Sequence, residues 1–309
     1  MVVRNEEKYI TEAIQSILDQ TFSDFEFIIV DDNSTDRTKE IIRSIQDPRI
    51  QLFDNPNTPG RPGSLNFGYA QARGKYIAHM DGDDISVSNR FQLLHEFMES
   101  HPEVGVCGGK MLVFGENYKS WEFIPATSHD EIVCDPFGIS IANATALLRV
   151  SSIPSFIKYK DEYLGAEDLK FYFDLSPYVR FANIKSCVYH YRSHSEQLST
   201  KNIDFTKSLA FKVAADNFQR RYEAQEIEGV PQFVKFLRGE INTVKLSELI
   251  LAFELAQFNP DKNHKMIRGF IKDTIERIRI DLRSLTTLRF TLIWIRYKTK
   301  SFVKRFFPT

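Results

Sequence analysis

Ile10, Ala13, Ile14, Ile17 and Leu18 recur with a period near 3.6, which predicts a first helix burying one stripe. Phe25–Val30 is a short run, apolar but for Glu26, the pattern of a parallel strand covered on both faces. It stops abruptly at Asp31 and Asp32. Ser34 or Thr35 is suited to cap a following helix that turns Ile41, Ile42 and Ile45 inward. Ile50–Phe53 reads as a strand, Asn55–Gly63 as a Pro/Gly-rich loop, and the stretch from about Ser64 as a helix with Gly74 at C′. Lys75–Met80 is the next predicted strand, and it too ends in acids, Asp81-Gly82-Asp83-Asp84. Phe91, Leu94, Phe97 and Met98 mark a helix that Pro102 ends.

This alternation predicts a parallel sheet with helices on both faces, and ligands of such sheets bind beyond the carboxyl ends of the strands. Both acidic clusters are therefore expected in one crevice. From Val104 to about Val150 the pattern is strand-like, and Tyr163–Phe173 looks helical. After about Leu198 helical periodicity takes over, with stripes at Leu209, Val213 and Phe218 and at Ile267, Ile271, Ile275, Ile278 and Leu282. Two parts are expected, residues 1–199 and a helical extension over 200–309.

Of the 309 residues 42% are hydrophobic and 26% charged, and the net charge of −1 gives no general attraction to nucleic acid. The charge is unevenly placed. From Arg283 onward there is no Asp or Glu, while Arg283, Arg289, Arg296, Lys298, Lys300, Lys304 and Arg305 are basic. Phe290, Leu292, Ile293, Trp294, Ile295, Phe302, Val303, Phe306 and Phe307 interleave with them. Such a tail suits an anionic membrane surface, and equally a helix docked on the rest of the protein. Cys107, Cys134 and Cys187 are sparse and odd in number, as expected for reduced thiols in a cytoplasmic protein. No stretch approaches the length of a membrane span, and no signal peptide is visible.

Four clusters carry chemistry. Asp81, Asp83 and Asp84 repel one another unless water or a cation lies among them, so they read as a solvated turn or as oxygen ligands for Mg²⁺ or Mn²⁺. Asp31-Asp32 reads as a helix cap or as an acceptor for a base or ribose. Glu167-Asp168, after Gly165, reads as charge favoured at a helix N-terminus or as a general base. His190-Tyr191-Arg192-Ser193-His194 reads as a polar strand exit or as a phosphate-binding group.

Together these residues resemble the inverting family 2 glycosyltransferases of the GT-A fold, over roughly Met1 to Ser199. The resemblance lies in Asn5-Glu6-Glu7, Ala13 through Thr21, Phe25–Asp36, Ser64-Leu65-Asn66-Phe67-Gly68 and Ala72 through Ala78, then in the Asp81–Asp84 cluster, Glu167-Asp168 and Tyr191-Arg192-x-His194. It implies a Rossmann-like, mostly parallel central sheet and transfer of a sugar from a nucleotide-sugar donor, most often a UDP-sugar, to a glycan or lipid-linked glycan acceptor. In that reading Asp32, with Asp31, holds the base or ribose. Asp83, with Asp81 or Asp84, binds Mn²⁺ or Mg²⁺ on the diphosphate. Asp168 is the base, oriented by Glu167, and Arg192 and His194 close over the diphosphate. Surface polysaccharide biosynthesis at the inner face of a cell membrane is the implied setting.

Two departures stand out. Arg4 occupies the place of the family's usual aromatic before Asn5, and only Met1-Val2-Val3 represents the first strand. A buried strand usually takes five or six residues. The expectation is therefore that Met1 is internal to a longer natural chain, with a short apolar segment ahead of it. Rival readings are an inactive sugar-nucleotide-binding protein of the same fold and a phospho-accepting receiver domain. The receiver reading needs a Lys-Pro strand end, and no Lys-Pro pair occurs.

Overall fold

The computed structural model describes residues 1–56, 60–115, 118–133, 138–197, 203–222 and 235. Two units divide the chain, Met1–Asn217 and Phe218–Thr309. Only residues 218–222 and 235 of the second are described, so the stripe from Ile267 to Leu282 and the basic tail from Arg283 lie outside the described residues, as does Cys134. Cys107 and Cys187 are free thiols.

In the first unit strands β1 (Val2–Val3), β2 (Phe27–Asp31) and β3 (Ile50–Asp54) form a parallel sheet. Val2 pairs with Val30 and Val3 with Asp31, while Phe27 through Asp31 pair with Ile50 through Asp54. Helices α1 (Ile10–Leu18) and α2 (Thr38–Ser44) follow β1 and β2. Ile10, Ala13, Ile14 and Ile17 are buried against Ile29 and Ile42, as their period requires. Each of the three isoleucines of α1 contributes about 1.5–3 kcal/mol by leaving water.

A bridge between Val2 and Asp81 links this sheet to the chain beyond β4 (Tyr76–Ala78). Strands β4, β8 (Leu147–Arg149), β6 (Val104–Gly115), β9 (Arg180–Arg192) and β5 (Ile85–Ser86) lie side by side in that order, and β7 (Tyr118–Phe123) extends β6 as a hairpin. β6 and β9 are parallel, whereas β4–β8, β6–β8 and β5–β9 are antiparallel. The remaining helices are α3 (Arg61–Gln71), α4 (Arg90–Ser100), α5 (His129–Val133), α6 (Glu167–Leu175) and α7 (Ile203–Tyr222). The result is the expected α/β fold with a central sheet and flanking helices.

The chain that continues β4 is parallel to β1 at the Val2–Asp81 bridge, as expected, while β4 itself pairs antiparallel with β8. Three local expectations need correction. Helix α2 is not capped by Ser34 or Thr35. The Ser34 hydroxyl accepts the Asn5 N–H and the Thr35 N–H goes to Asn5 Oδ1, so Asp36 Oδ1 accepts the Thr38 N–H instead. Helix α3 begins at Arg61, three residues early, because Pro62 is already shaped for a first turn. It ends at Gln71, and the next residue, Ala72, is extended, so Gly74 is not its C′ residue.

A cleft of about 710 Å³ lies between β2 and β4 and is lined by Phe27, Ile28, Leu65, Tyr69 and Met80 among others. The acidic clusters sit elsewhere, at the carboxyl ends of the strands.

Candidate active site

Two left-handed asparagines shape the turns around the first acid pair: Asn5 (φ 58°) after β1 and Asn33 (φ 60°) after β2. Asparagine tolerates this conformation better than most residues. The two turns are tied together by the Asn5–Ser34 and Asn5–Thr35 hydrogen bonds.

Asp31 and Asp32 are both buried here. Asp31 Oδ2 accepts the Ser34 N–H at 3.2 Å, while its buried Oδ1 has no hydrogen-bond partner among the described residues. Asp32 Oδ1 is saturated by Asn55 Nδ2 at 2.8 Å, Ser64 Oγ at 2.8 Å and the Gly60 N–H at 3.0 Å. Its Oδ2 lies 4.0 Å from Arg4 Nη1. One carboxylate oxygen thus anchors the loop before α3, and the other faces Arg4 alone among the described residues.

The second cluster lies next door, because Val2 bridges β2 to Asp81. Asp81 Oδ1 receives Arg61 Nη2 at 2.5 Å. Burial opposes ionisation of Asp81, but the Arg61 guanidinium outweighs it and holds the carboxyl below the usual range. Asp83 Oδ2 accepts from His194 Nε2 at 2.9 Å and from Gln197 Nε2 at 3.4 Å, leaving Oδ1 without a hydrogen bond among the described residues. Asp84 Oδ1 accepts the Arg192 N–H at 2.7 Å, and its Oδ2 is buried without a partner. Burial, with Asp83 and Asp81 close by, pushes the Asp84 carboxyl up to about 9. Gly82 is required for space: a Cβ there would stand 2.9 Å from Val3 Cγ1 and 3.1 Å from Glu6 Cγ.

Arg192, at the exit of β9, is consumed internally. Its Nε donates to the Asp83 carbonyl at 2.8 Å and its Nη2 to Glu12, and its guanidinium sits over the rings of Tyr9 and Phe114. Tyr9 also packs on His194 at 4.9 Å. The segment from Arg192 to Gln197 therefore lies directly on the Asp81–Asp84 turn.

The third acid pair opens α6 after Gly165, which takes φ 100°. Glu167 Oε2 accepts the Gly165 N–H at 2.5 Å, and Asp168 Oδ1 accepts the Leu169 N–H at 2.7 Å. Arg61 Nε reaches Glu167 Oε1 at 3.2 Å. Arg61 thereby joins the strand-end acids to the α6 acids in one site. Burial and the neighbouring Glu167 raise the Asp168 carboxyl to about 6, against the lowering pull of the Leu169 N–H and Arg61. An acid–base group in that range exchanges protons near neutrality.

The sequence singled out all three acid clusters but gave no role to Arg61, and none to Glu6 beyond its place in Asn5-Glu6-Glu7. Burial, followed by Asp83 and Asp81, raises the Glu6 carboxyl to about 8. Nothing in the local pattern of either residue announces its distant partners.

Among the described residues no group of three or more His, Cys, Asp or Glu side chains is placed to hold an ion. The donor set does fit a hard divalent cation held chiefly by phosphate. Asp83 offers a carboxylate oxygen beside the buried Asp84, and such ions commonly take only one or two carboxylates together with substrate oxygens.

The α/β sheet, with acids at the ends of the two strands that flank β1 and a further acid pair on a helix, has a GT-A-like fold. Residues 1–349 of TarS from S. aureus, solved with UDP-GlcNAc, superpose with a TM-score of 0.57 at 20% identity, over 96% of this chain and 86% of that one. The mannosyltransferase PcManGT from Pyrobaculum calidifontis, solved with GDP-Man and Mn²⁺, gives 0.54 at 14% identity, over 91% and 86%. An uncharacterized glycosyltransferase of Haemophilus influenzae is 27% identical over 311 residues, 96% of this chain and 90% of that protein. The profile of glycosyl transferase family 2 matches residues 1–153, and the chain belongs to that family. The activity that the family's description names is glycosyl transfer.

Proposed function

We propose that this chain is a metal-assisted, inverting glycosyltransferase whose base is Asp168. The observation that carries the reading is the Asp81–Arg61–Glu167 bridge, which gathers the strand-end acids and the α6 acids around one centre. Asp32 Oδ2 takes a hydrogen bond from the base or ribose of the donor, and Asp31 supports the turn. Asp83 Oδ1 faces the diphosphate, with Asp84 behind it and His194 alongside. These residues would hold a Mn²⁺ or Mg²⁺ ion, which would supply positive charge against the nucleoside diphosphate leaving group. Asp168 accepts the proton of the acceptor hydroxyl as that oxygen bonds to the anomeric carbon. The bond from that carbon to the diphosphate oxygen breaks on the opposite face, which inverts the centre.

The donor is read as a UDP-sugar and the acceptor as a hydroxyl of a glycan or lipid-linked glycan of the cell surface. The relatives' glycosyltransferase names and the UDP-GlcNAc complex of TarS support this. Residues 1–199 are read as the catalytic part and 200–309 as a helical extension. Among the described residues no helix is long and apolar enough to cross a membrane. We place the protein in the cytoplasm, with the basic stretch 283–309 against the inner membrane face.

A thermal-shift screen of nucleotide-sugars, with and without Mn²⁺, identifies the donor. Asp168→Asn is then compared with the unaltered chain for release of nucleoside diphosphate. Expected are near-normal donor affinity and turnover lower by about 10²–10⁴, the worth of a positioned base. In the unaltered enzyme turnover falls below about pH 6, where Asp168 takes up its proton. Unchanged turnover in the variant overturns the assignment.

A further inference from the structure

Arg61 is the first residue of α3, and its side chain is 23% exposed. One edge of its guanidinium spans two elements, with Nη2 on Asp81 Oδ1 and Nε on Glu167 Oε1. The same first turn also reaches the nucleotide side, since the Gly60 N–H and Ser64 Oγ both donate to Asp32. Five residues, 60–64, thus touch all three acid pairs. Burial of the guanidinium opposes its charge, and Asp81 followed by Glu167 more than restores it, so Arg61 stays a cation. A planar fork is suited to this placement, because a lysine carries one compact charge and cannot span two carboxylates along a fixed edge.

We propose that Arg61 is a positioning residue of the transfer reaction: by holding Asp81 and Glu167 together it docks the start of α6 against the strand-end acids and fixes where Asp168 presents its carboxylate. The proposal rests on Asp168 being the base. Asp168 has few means of its own for staying in place. Its one hydrogen bond among the described residues runs from the Leu169 N–H to Oδ1, within its own turn. Its neighbour Glu167 is therefore the handle, gripped by the Gly165 N–H on Oε2 and by Arg61 on Oε1.

Arg61 also acts on Asp168 through charge. The groups that face Asp168 are Glu167 on its own helix, Arg61 from α3, Asp81 from the strand end, and Tyr159 and Tyr172. Arg61 is the cation among them, and it opposes the acids.

The test separates geometry from charge and needs no knowledge of the acceptor, because water takes the acceptor's place: its hydroxyl bonds to the anomeric carbon, its proton goes to Asp168, and the nucleoside diphosphate leaves. Protein labelled with ¹³C at the aspartate carboxyls is titrated by NMR, and the Asp168 signal is assigned by its loss in Asp168→Asn. In Arg61→Gln the Asp168 midpoint should move upward by about one pH unit, the usual effect of an opposite charge at close range. In Arg61→Lys the midpoint should stay near the unaltered value. Release of nucleoside diphosphate from the donor should nevertheless fall at least tenfold in both variants, because the two-carboxylate grip is lost, while donor affinity changes less than threefold. Glu167→Gln, which keeps the Arg61–Asp81 pair and covers the case that Arg61→Gln does not fold, should move the midpoint downward. An unmoved midpoint in both Arg61→Gln and Glu167→Gln overturns the proposal, as does full turnover in Arg61→Lys. Failure of the base assignment shows separately, as full turnover in Asp168→Asn.

Discussion

Replacing Asp32 by asparagine and by alanine separates anchoring from ligand binding at one side chain. Three donors converge on Oδ1, from Asn55, Ser64 and Gly60. In Asp32→Ala all three lose their acceptor in a buried place. At about 1–3 kcal/mol for each unsatisfied group the fold should lose roughly 3–6 kcal/mol, allowing for some relief by water. For a domain of this size that lowers the melting temperature by about 10 °C. In Asp32→Asn the amide oxygen takes the place of Oδ1 and keeps the three bonds. The amide nitrogen then replaces Oδ2 beside Arg4, whose side chain is 56% exposed and free to move off. Melting should therefore change little. What disappears is the charged acceptor for the nucleotide, worth about 1.5–3 kcal/mol, or roughly 10- to 150-fold in affinity. Calorimetry with UDP and GDP in the presence of Mn²⁺, alongside differential scanning fluorimetry, reads both quantities. If Asp32→Asn binds both nucleotides normally but melts like Asp32→Ala, Asp32 is an anchor alone and the reasoning fails.

Asp83→Asn should abolish Mn²⁺-dependent strengthening of nucleotide binding and most turnover while the melting temperature stays within a few degrees; unaltered Mn²⁺ dependence in calorimetry speaks against its role. Asp84 has a folded-state carboxyl raised to about 9 from a usual value near 4, so its stabilisation is complete below that usual value and is lost as pH rises through 9. Melting curves in chelator across this window should slope downward with pH, and Asp84→Asn should flatten the slope. Gly82→Ala forces a Cβ into Val3 and Glu6 and should displace the acid turn, cutting turnover at least tenfold; a crystal structure of the variant with the turn unmoved would contradict this.

The acid pairs were legible because each interrupts a regular pattern. Asp31-Asp32 ends the run Phe25–Val30, and Asp81–Asp84 ends Lys75–Met80. Glu167-Asp168 was legible because an acid pair after a glycine suits a helix start. Arg61 was not, since a single arginine in a Pro/Gly-rich stretch looks like any solvated loop charge, and its value comes from carboxylates on distant elements. The expectation that Ser34 or Thr35 caps α2 failed for a related reason: local hydroxyls were already engaged by Asn5 across the sheet. The antiparallel pairing of β4 with β8 was equally invisible, because an apolar strand reads the same in either direction.

The bond from Arg192 to Glu12 joins residues 180 positions apart. A nascent chain grows from its N-terminus, so the hydrogen-bonded group of Asp31, Asp32, Asn55 and Ser64 is complete in sequence long before Arg192, His194 and Gln197 are made. Contacts of such separation carry a large loop-closure cost and form late. The side proposed for the nucleotide can therefore be assembled on the ribosome while the side proposed for the diphosphate still lacks its cover. Under that proposal a half-made chain would hold a base or ribose without gripping the diphosphate, and transfer competence would arrive only when synthesis has passed β9.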